Sequence, residues 1–192
     1  MKRLLLILIL TLSFHPLTRA NDISDIEIEG VSIGDNLLNH YDKETLNKIK
    51  KFYYPGSKKY VCLASNIFSQ NLKEYEGMQF CIDPNTYEIA NIAGKIYKYQ
   101  NNKTECYKKM ETIFEDINSS FPNLKTKKFK EGPHTSDKSG ESLAKVYSIF
   151  FKDGRLSITC TDWSKKMKRS DSLKIALHKS SYMKWINTEA HK

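Results

Sequence analysis

Residues 145–163 read KVYSIFFKDGRLSITCTDW, two runs of alternating apolar residues separated by Asp153-Gly154. Asp-Gly between alternating runs is a strong hairpin signal, because a two-residue type I′ turn needs positive φ at both central positions. With that loop Phe151 faces Leu156, Ile149 faces Ile158, and Tyr147 faces Cys160, all on one side of the sheet. A slip of one residue would turn the apolar set of one strand to the other face, so this register is expected.

Outward from the hairpin, Ser172 to His178 alternates as another strand, with Leu173, Ile175 and Leu177 on one face. Residues 181–189 predict a short terminal helix that buries Tyr182 and Trp185. Upstream, residues 103–119 predict the best helix, with Cys106, Met110, Ile113, Phe114 and Ile117 on one stripe. Asn102 followed by Glu105 resembles a capping box at its start. Three strands are expected before it, at 59–65, 77–83 and 87–99. Met78, Phe80 and Ile82 share one face of the second, and Gln79 and Cys81 the other. In the third, the alternation changes phase between Ile89 and Ile92, which predicts a bulge. A first helix over 43–52 is capped by Asp42 and stopped by Pro55-Gly56. Residues 131–141, EGPHTSDKSGE, read as a flexible polar loop. The fold class is therefore α+β, with an antiparallel sheet or sheets packed by helices. A single domain over 21–192 is expected, and the order of elements also allows two α+β halves, 21–99 and 100–192.

Residues 1–20 have the plan of a secretory signal peptide: Lys2 and Arg3, an apolar run, then Thr18-Arg19-Ala20 as the cleavage site. The run is about half the ~20 residues that a membrane span requires, so it is a poor permanent anchor, and no transmembrane span is expected in the mature chain either. Without Lys2, Arg3 and Arg19, 28 basic residues stand against 22 acidic ones, a net charge of +6. Of the 31 basic residues in the whole chain, 27 are lysine and four are arginine. That bias argues against a nucleic-acid partner, since arginine supplies the bidentate contacts to phosphate and guanine.

Four cysteines in an exported chain imply two disulfides, with three possible connectivities. Cys106 lies on the apolar stripe of its helix and Cys160 on the apolar face of its strand, so these two can meet. Cys81 shares a strand face with Gln79, and Cys62 lies on a neighbouring strand. The expected pairs are Cys106–Cys160 and Cys62–Cys81, with Cα separations of ~4.4–6.8 Å.

Chemistry is sparse. There is no Gly-x-Ser-x-Gly elbow, no HExxH and no phosphate loop, so no catalytic, metal-ligating or cofactor-binding residue is assigned. His134, in a loop rich in hydroxyls, and Asp162, beside Trp163, are the best candidates for a small periplasmic hydrolase completed by a serine. Two basic clusters, Lys125, Lys127, Lys128 and Lys130, then Lys165, Lys166, Lys168 and Arg169, would attract an anionic envelope component or an acidic protein.

Four segments also carry a resemblance: residues 28–35 (IEGVSIGD), 105–109 (ECYKK), 137–140 (DKSG) and 160–164 (CTDWS). Together they resemble small exported proteins of marine alphaproteobacteria. The resemblance implies a bacterial periplasmic setting and brings no mechanism with it. The expected protein is thus exported, soluble and disulfide-bonded, and it binds a ligand or an envelope component. The hydrolase centred on His134 and Asp162 is the alternative.

Overall fold

The computed structural model describes residues 22–70 and 72–192. The expected leader and its cleavage point lie outside the described residues. In chain order the strands and helices are β1 (Glu27–Ile28), β2 (Val31–Ser32), α1 (Lys43–Lys48), β3 (Lys51–Tyr54), β4 (Ser57–Ala64), β5 (Gly77–Ile82), β6 (Ile89–Ile96), α2 (Lys103–Ser120), β7 (Lys125–Lys128), β8 (Gly132–Pro133), β9 (Leu143–Phe150), β10 (Gly154–Asp162), β11 (Ser172–Lys179) and α3 (Ser180–Thr188). This is an α+β fold. Its main sheet is antiparallel, ordered β3-β4-β5-β6-β11-β10-β9-β7, with β8 also paired to β9. β6 pairs with β11, so the sheet runs unbroken across residue 100.

One face of this sheet is apolar. Phe80, Ile82, Ile92, Leu173, Leu177, Leu156, Ile158 and Ile149 lie there, each at most 2 % exposed. The long helix α2 packs on it through Cys106, Met110 and Phe114. Each such side chain, fully buried, stabilises the fold by about 1.5–3 kcal/mol. Asn102 caps α2 by accepting from the Glu105 N–H. Leu46 of α1 and the arm carrying Ile23, Ile28 and Val31 complete the same core. On the opposite face α3 covers β4, β5 and the nearest part of β6, and its Tyr182 ring stacks on His178 of β11. There Tyr182 and Trp185 pack against Tyr60, Cys62, Cys81 and Ala90. Among the described residues, no helix covers the remainder of that face, over β6, β11, β10 and β9.

Both disulfides have the expected partners: Cys62–Cys81 and Cys106–Cys160, with Cα separations of 4.0 and 6.1 Å. The first is shorter than the expected window because Cys62 and Cys81 are direct cross-strand partners. The expected bulge is also present. Cys81 pairs with Asn91 and Ile82 with Ile89, which leaves Ala90 as the extra residue.

Three local expectations are corrected. The hairpin turns at Lys152-Asp153, one residue earlier than the Asp-Gly signal implies. Leu156 therefore pairs with Ile149, Ile158 with Tyr147, and Cys160 with Lys145. The apolar faces survive because the shift moves both strands together. Gly154 does not have positive φ. It is the first residue of β10, and a Cβ there would stand 2.6 Å from the His178 carbonyl oxygen and 2.7 Å from Ile23 Cγ2. Asp153 anchors the arm by accepting the Ile23 N–H, and its carbonyl accepts from Ser180. Secondly, the helix expected over 43–52 ends at Lys48, and Phe52 sits on β3 opposite Cys62. The Phe-Tyr-Tyr run prefers a strand, and Pro55-Gly56 closes a hairpin into β4 instead of ending a helix. Thirdly, residues 131–141 are anchored: β8 pairs with β9, and the buried Asp137 carboxylate accepts from Ser139, Ser142 and Ser164.

Candidate functional site

The helix-free part of the second face has a regular floor set by strand register. Directly opposed residues form three rows running from β6 through β11 and β10 to β9. The first is Lys95, Lys174, Thr159, Val146; the second is Ala93, Ala176, Ser157, Ser148; the third is Asn91, His178, Arg155, Phe150. Small residues in the middle row form a trough. Cations rise on both sides of it, in rows about 13 Å apart at ~3.3 Å per residue. Tyr182, Met183 and Ile186 of α3 wall one end, and Phe129, Pro133 and His134 wall the other.

Three contiguous spaces lie over this floor, of about 300, 460 and 360 Å³, and Lys174 lines all of them. Among the described residues, no Asp or Glu lines any of the three. Residues 21–192 contain two arginines, Arg155 and Arg169, and both are in this groove. Among the described residues, no ion pair involves Lys95, Lys174, Arg155 or Arg169. Burial, then Lys95 and Arg155, hold the Lys174 ammonium below its ordinary pKa. Burial and Arg169 do the same to Lys95, and burial lowers Arg155. Lysines directly opposite one another on neighbouring strands repel, and half-buried charges ordinarily acquire a partner. Two buried side-chain atoms, Ser148 Oγ and Arg155 Nε, have no hydrogen-bond partner among the described residues. Both residues line the 460 Å³ space.

His178 sets the chemistry of the trough. Asn91 Nδ2 donates to the Leu177 carbonyl at 2.9 Å and lies 2.8 Å from His178 Nδ1. Turning the amide over would set Oδ1 against that carbonyl oxygen, so the N–H orientation is the one assigned. Nδ1 is then the acceptor and the ring proton sits on Nε2, 2.9 Å from Ser157 Oγ. The imidazole donates to Ser157, which leaves the serine hydroxyl hydrogen free for a ligand. Burial, with Arg155 and Lys174 beside it, drives the His178 pKa down to about 3. Ser157, His178 and Asn91 thus line up without forming an activated nucleophile, because a base must present an unprotonated Nε2 to the hydroxyl.

The sequence-predicted residues fall in several places. His134 lines the groove. Its Nδ1 accepts the Ser136 N–H, its ring rests on Trp163 with centroids 4.3 Å apart, and burial first, then Lys174 and Arg169, lower its pKa. Asp162 lies on the opposite face, 3.8 Å from Lys103, so the structure does not bring it to His134. The two basic clusters do not form one surface. Lys128 pairs with Glu111 on the α2 side and Lys166 with Glu141, while Lys125, Lys165 and Lys168 are exposed. Lys127 lies over the Phe129 ring. Lys130 and Arg169 reach the groove lining. The central cations Lys95, Lys174 and Arg155 are residues that sequence reading passed over. Their signal is a basic residue at a polar position of each of three apolar strands, and it acquires meaning only once those strands are neighbours.

Comparison with family models, with curated proteins and with solved structures returned no match.

Proposed function

We propose that this is an exported binding protein whose ligand is an anion seated over the open sheet face between Lys95, Lys174 and Arg155. One observation carries the reading: among the described residues, unpaired, half-buried cations and the two unpartnered buried polar atoms line the same groove, and no carboxylate lines it. Holding such cations together costs stability, and an anion that accepts from them recovers it. The geometry favours binding over turnover, since the Ser157–His178 hydroxyl–imidazole pair in the trough has its proton on the wrong nitrogen for attack. Two disulfides support an oxidising compartment. Among the described residues no helix is long and apolar enough to cross a membrane. With the leader and the resemblance, these features support the bacterial periplasm and an anionic envelope component or metabolite as partner.

The test is thermal unfolding of the purified chain in phosphate, sulfate or citrate against chloride at constant ionic strength. A multivalent anion should raise Tm in wild type and leave Lys174→Ala/Arg155→Ala unmoved. Equal shifts in both proteins would place the anion elsewhere and sink the reading.

A further inference from the structure

We infer that the ligand presents a phosphate-type dianion carried on an organic body, a phosphomonoester rather than a carboxylate. This deepens the anion reading and rests on it. The argument begins with charge. Lys95, Lys174 and Arg155 stand on the floor, with Arg169 beside them, and no acidic side chain among the described residues lines the space. A single carboxylate can occupy the Arg155 fork, but it leaves the opposed Lys95 and Lys174 still repelling each other. A dianion located between the two rows compensates both.

The donor inventory agrees. Among the described residues, Arg155 Nε, Ser148 Oγ and the Ser157 hydroxyl lack an acceptor and Lys95 and Lys174 have no ion pair, and these groups come from all three rows of the floor. A planar carboxylate offers two oxygens in one plane. A phosphate monoester offers three strong acceptor oxygens around a tetrahedron, which suits donors rising from a floor and two sides. The size of the space requires the body. About 460 Å³ is the scale of a small-molecule site, well beyond a bare oxyanion. Phe129, Pro133 and Val146 supply an apolar wall on the side away from α3.

Calorimetric titration of the intact chain with phenyl phosphate, methyl phenyl phosphate, inorganic phosphate and benzoate tests this. Phenyl phosphate should bind about tenfold more tightly than its methyl diester. That is the Coulomb effect of one further charge at ~6 Å with an effective dielectric between protein and water. It should also exceed inorganic phosphate, which lacks the body, and benzoate, which lacks the second charge. Lys174→Ala should abolish the difference between ester and diester, while a thermal melt confirms that the variant folds. Equal affinity for ester and diester would overturn the dianion and leave the anion groove standing. No binding of any of the four, in wild type, would overturn the groove reading itself. Co-sedimentation with phosphatidylcholine vesicles containing phosphatidic acid distinguishes the sources. Capture that phenyl phosphate reverses assigns the phosphomonoester to a lipid headgroup, and its absence alongside phenyl phosphate binding assigns it to a free ester.

Discussion

Replacing Lys174 by methionine should make the protein more stable and, at the same time, weaken its binding of the proposed anion. The side chain stands on a central strand, directly opposite Lys95 on β6, and burial and neighbouring charge both disfavour its ammonium. Cross-strand pairs on one sheet face contribute about 0.2–1 kcal/mol, and like charges enter with the unfavourable sign. Methionine keeps the length of the stem and removes the charge, so the gain should be about 1 kcal/mol at neutral pH. For a chain of this size that raises Tm by about 2–4 °C. The pH dependence supplies a second check. Since the folded-state pKa of Lys174 lies below the ordinary value of 10.5, the unfolded chain binds more protons as pH rises between the two. Wild-type stability should therefore gain on the variant through that alkaline window, and the difference between them should shrink. Urea denaturation of both proteins at pH 7 and near pH 10 measures both effects. A Lys174→Met variant that is less stable than wild type by 1 kcal/mol or more would refute the reasoning, because it would mean the ammonium has a structural partner.

Three further outcomes follow from the same structure. Loss of Cys106–Cys160, which closes 54 residues, should cost about 4 kcal/mol, against about 3 kcal/mol for Cys62–Cys81, which closes 19; urea midpoints of the two double-alanine variants in the reverse order would contradict the loop-entropy argument. Gly154→Ala should destabilise by about 1–3 kcal/mol, since the new methyl meets the His178 carbonyl oxygen and Ile23; an unchanged melting curve would show that the arm is not seated there. With a pKa of about 3, buried His178 contributes stability that is fully present above its unfolded value near 6.5 and is lost as pH falls towards 3. Its imidazole proton resonances should stay flat from pH 5 to 8, and a midpoint near 6.5 would contradict the neutral Nε2–H assignment.

The apolar half of this architecture was legible because it obeys a period. Met78, Phe80 and Ile82 alternate, Cys106, Met110 and Phe114 recur at helical spacing, and the disulfide partners follow from which face each cysteine shares. The misreadings occurred where tertiary contacts overruled local preference. Asp153-Gly154 carries the signature of a tight turn, yet Gly154 is used for close approach of the Ile23 arm, which lies 131 residues away in sequence. Phe52 fits the helical stripe of Leu46 and Ile49, but pairing with Cys62 draws it into an edge strand, where it is 57 % exposed. The polar composition of residues 131–141 reads as a flexible, solvated loop, whereas Asp137 gathers three serines around one carboxylate.

The groove was illegible for a topological reason. After α1 the chain lays down β3, β4, β5 and β6 as a meander; after α2 it lays down β7, β9, β10 and β11 in the same manner. The last strand of each series pairs with the last strand of the other, β6 against β11, at the centre of the sheet. Lys95 arrives from the first series, and Lys174, His178 and Arg155 from the second, so no stretch of sequence contains the site. Each of these residues, seen alone, occupies an outward position on an apolar strand, where a solvated lysine or arginine is the ordinary reading. What changes that reading is the pairing of β6 with β11, which sets Lys95 against Lys174, together with α3 stopping short of them. A helix extended over that junction would have required apolar residues at positions 95, 174 and 155. The cations stand where the second covering layer ends, over the junction of the two meanders, which is where the proposed anion would sit.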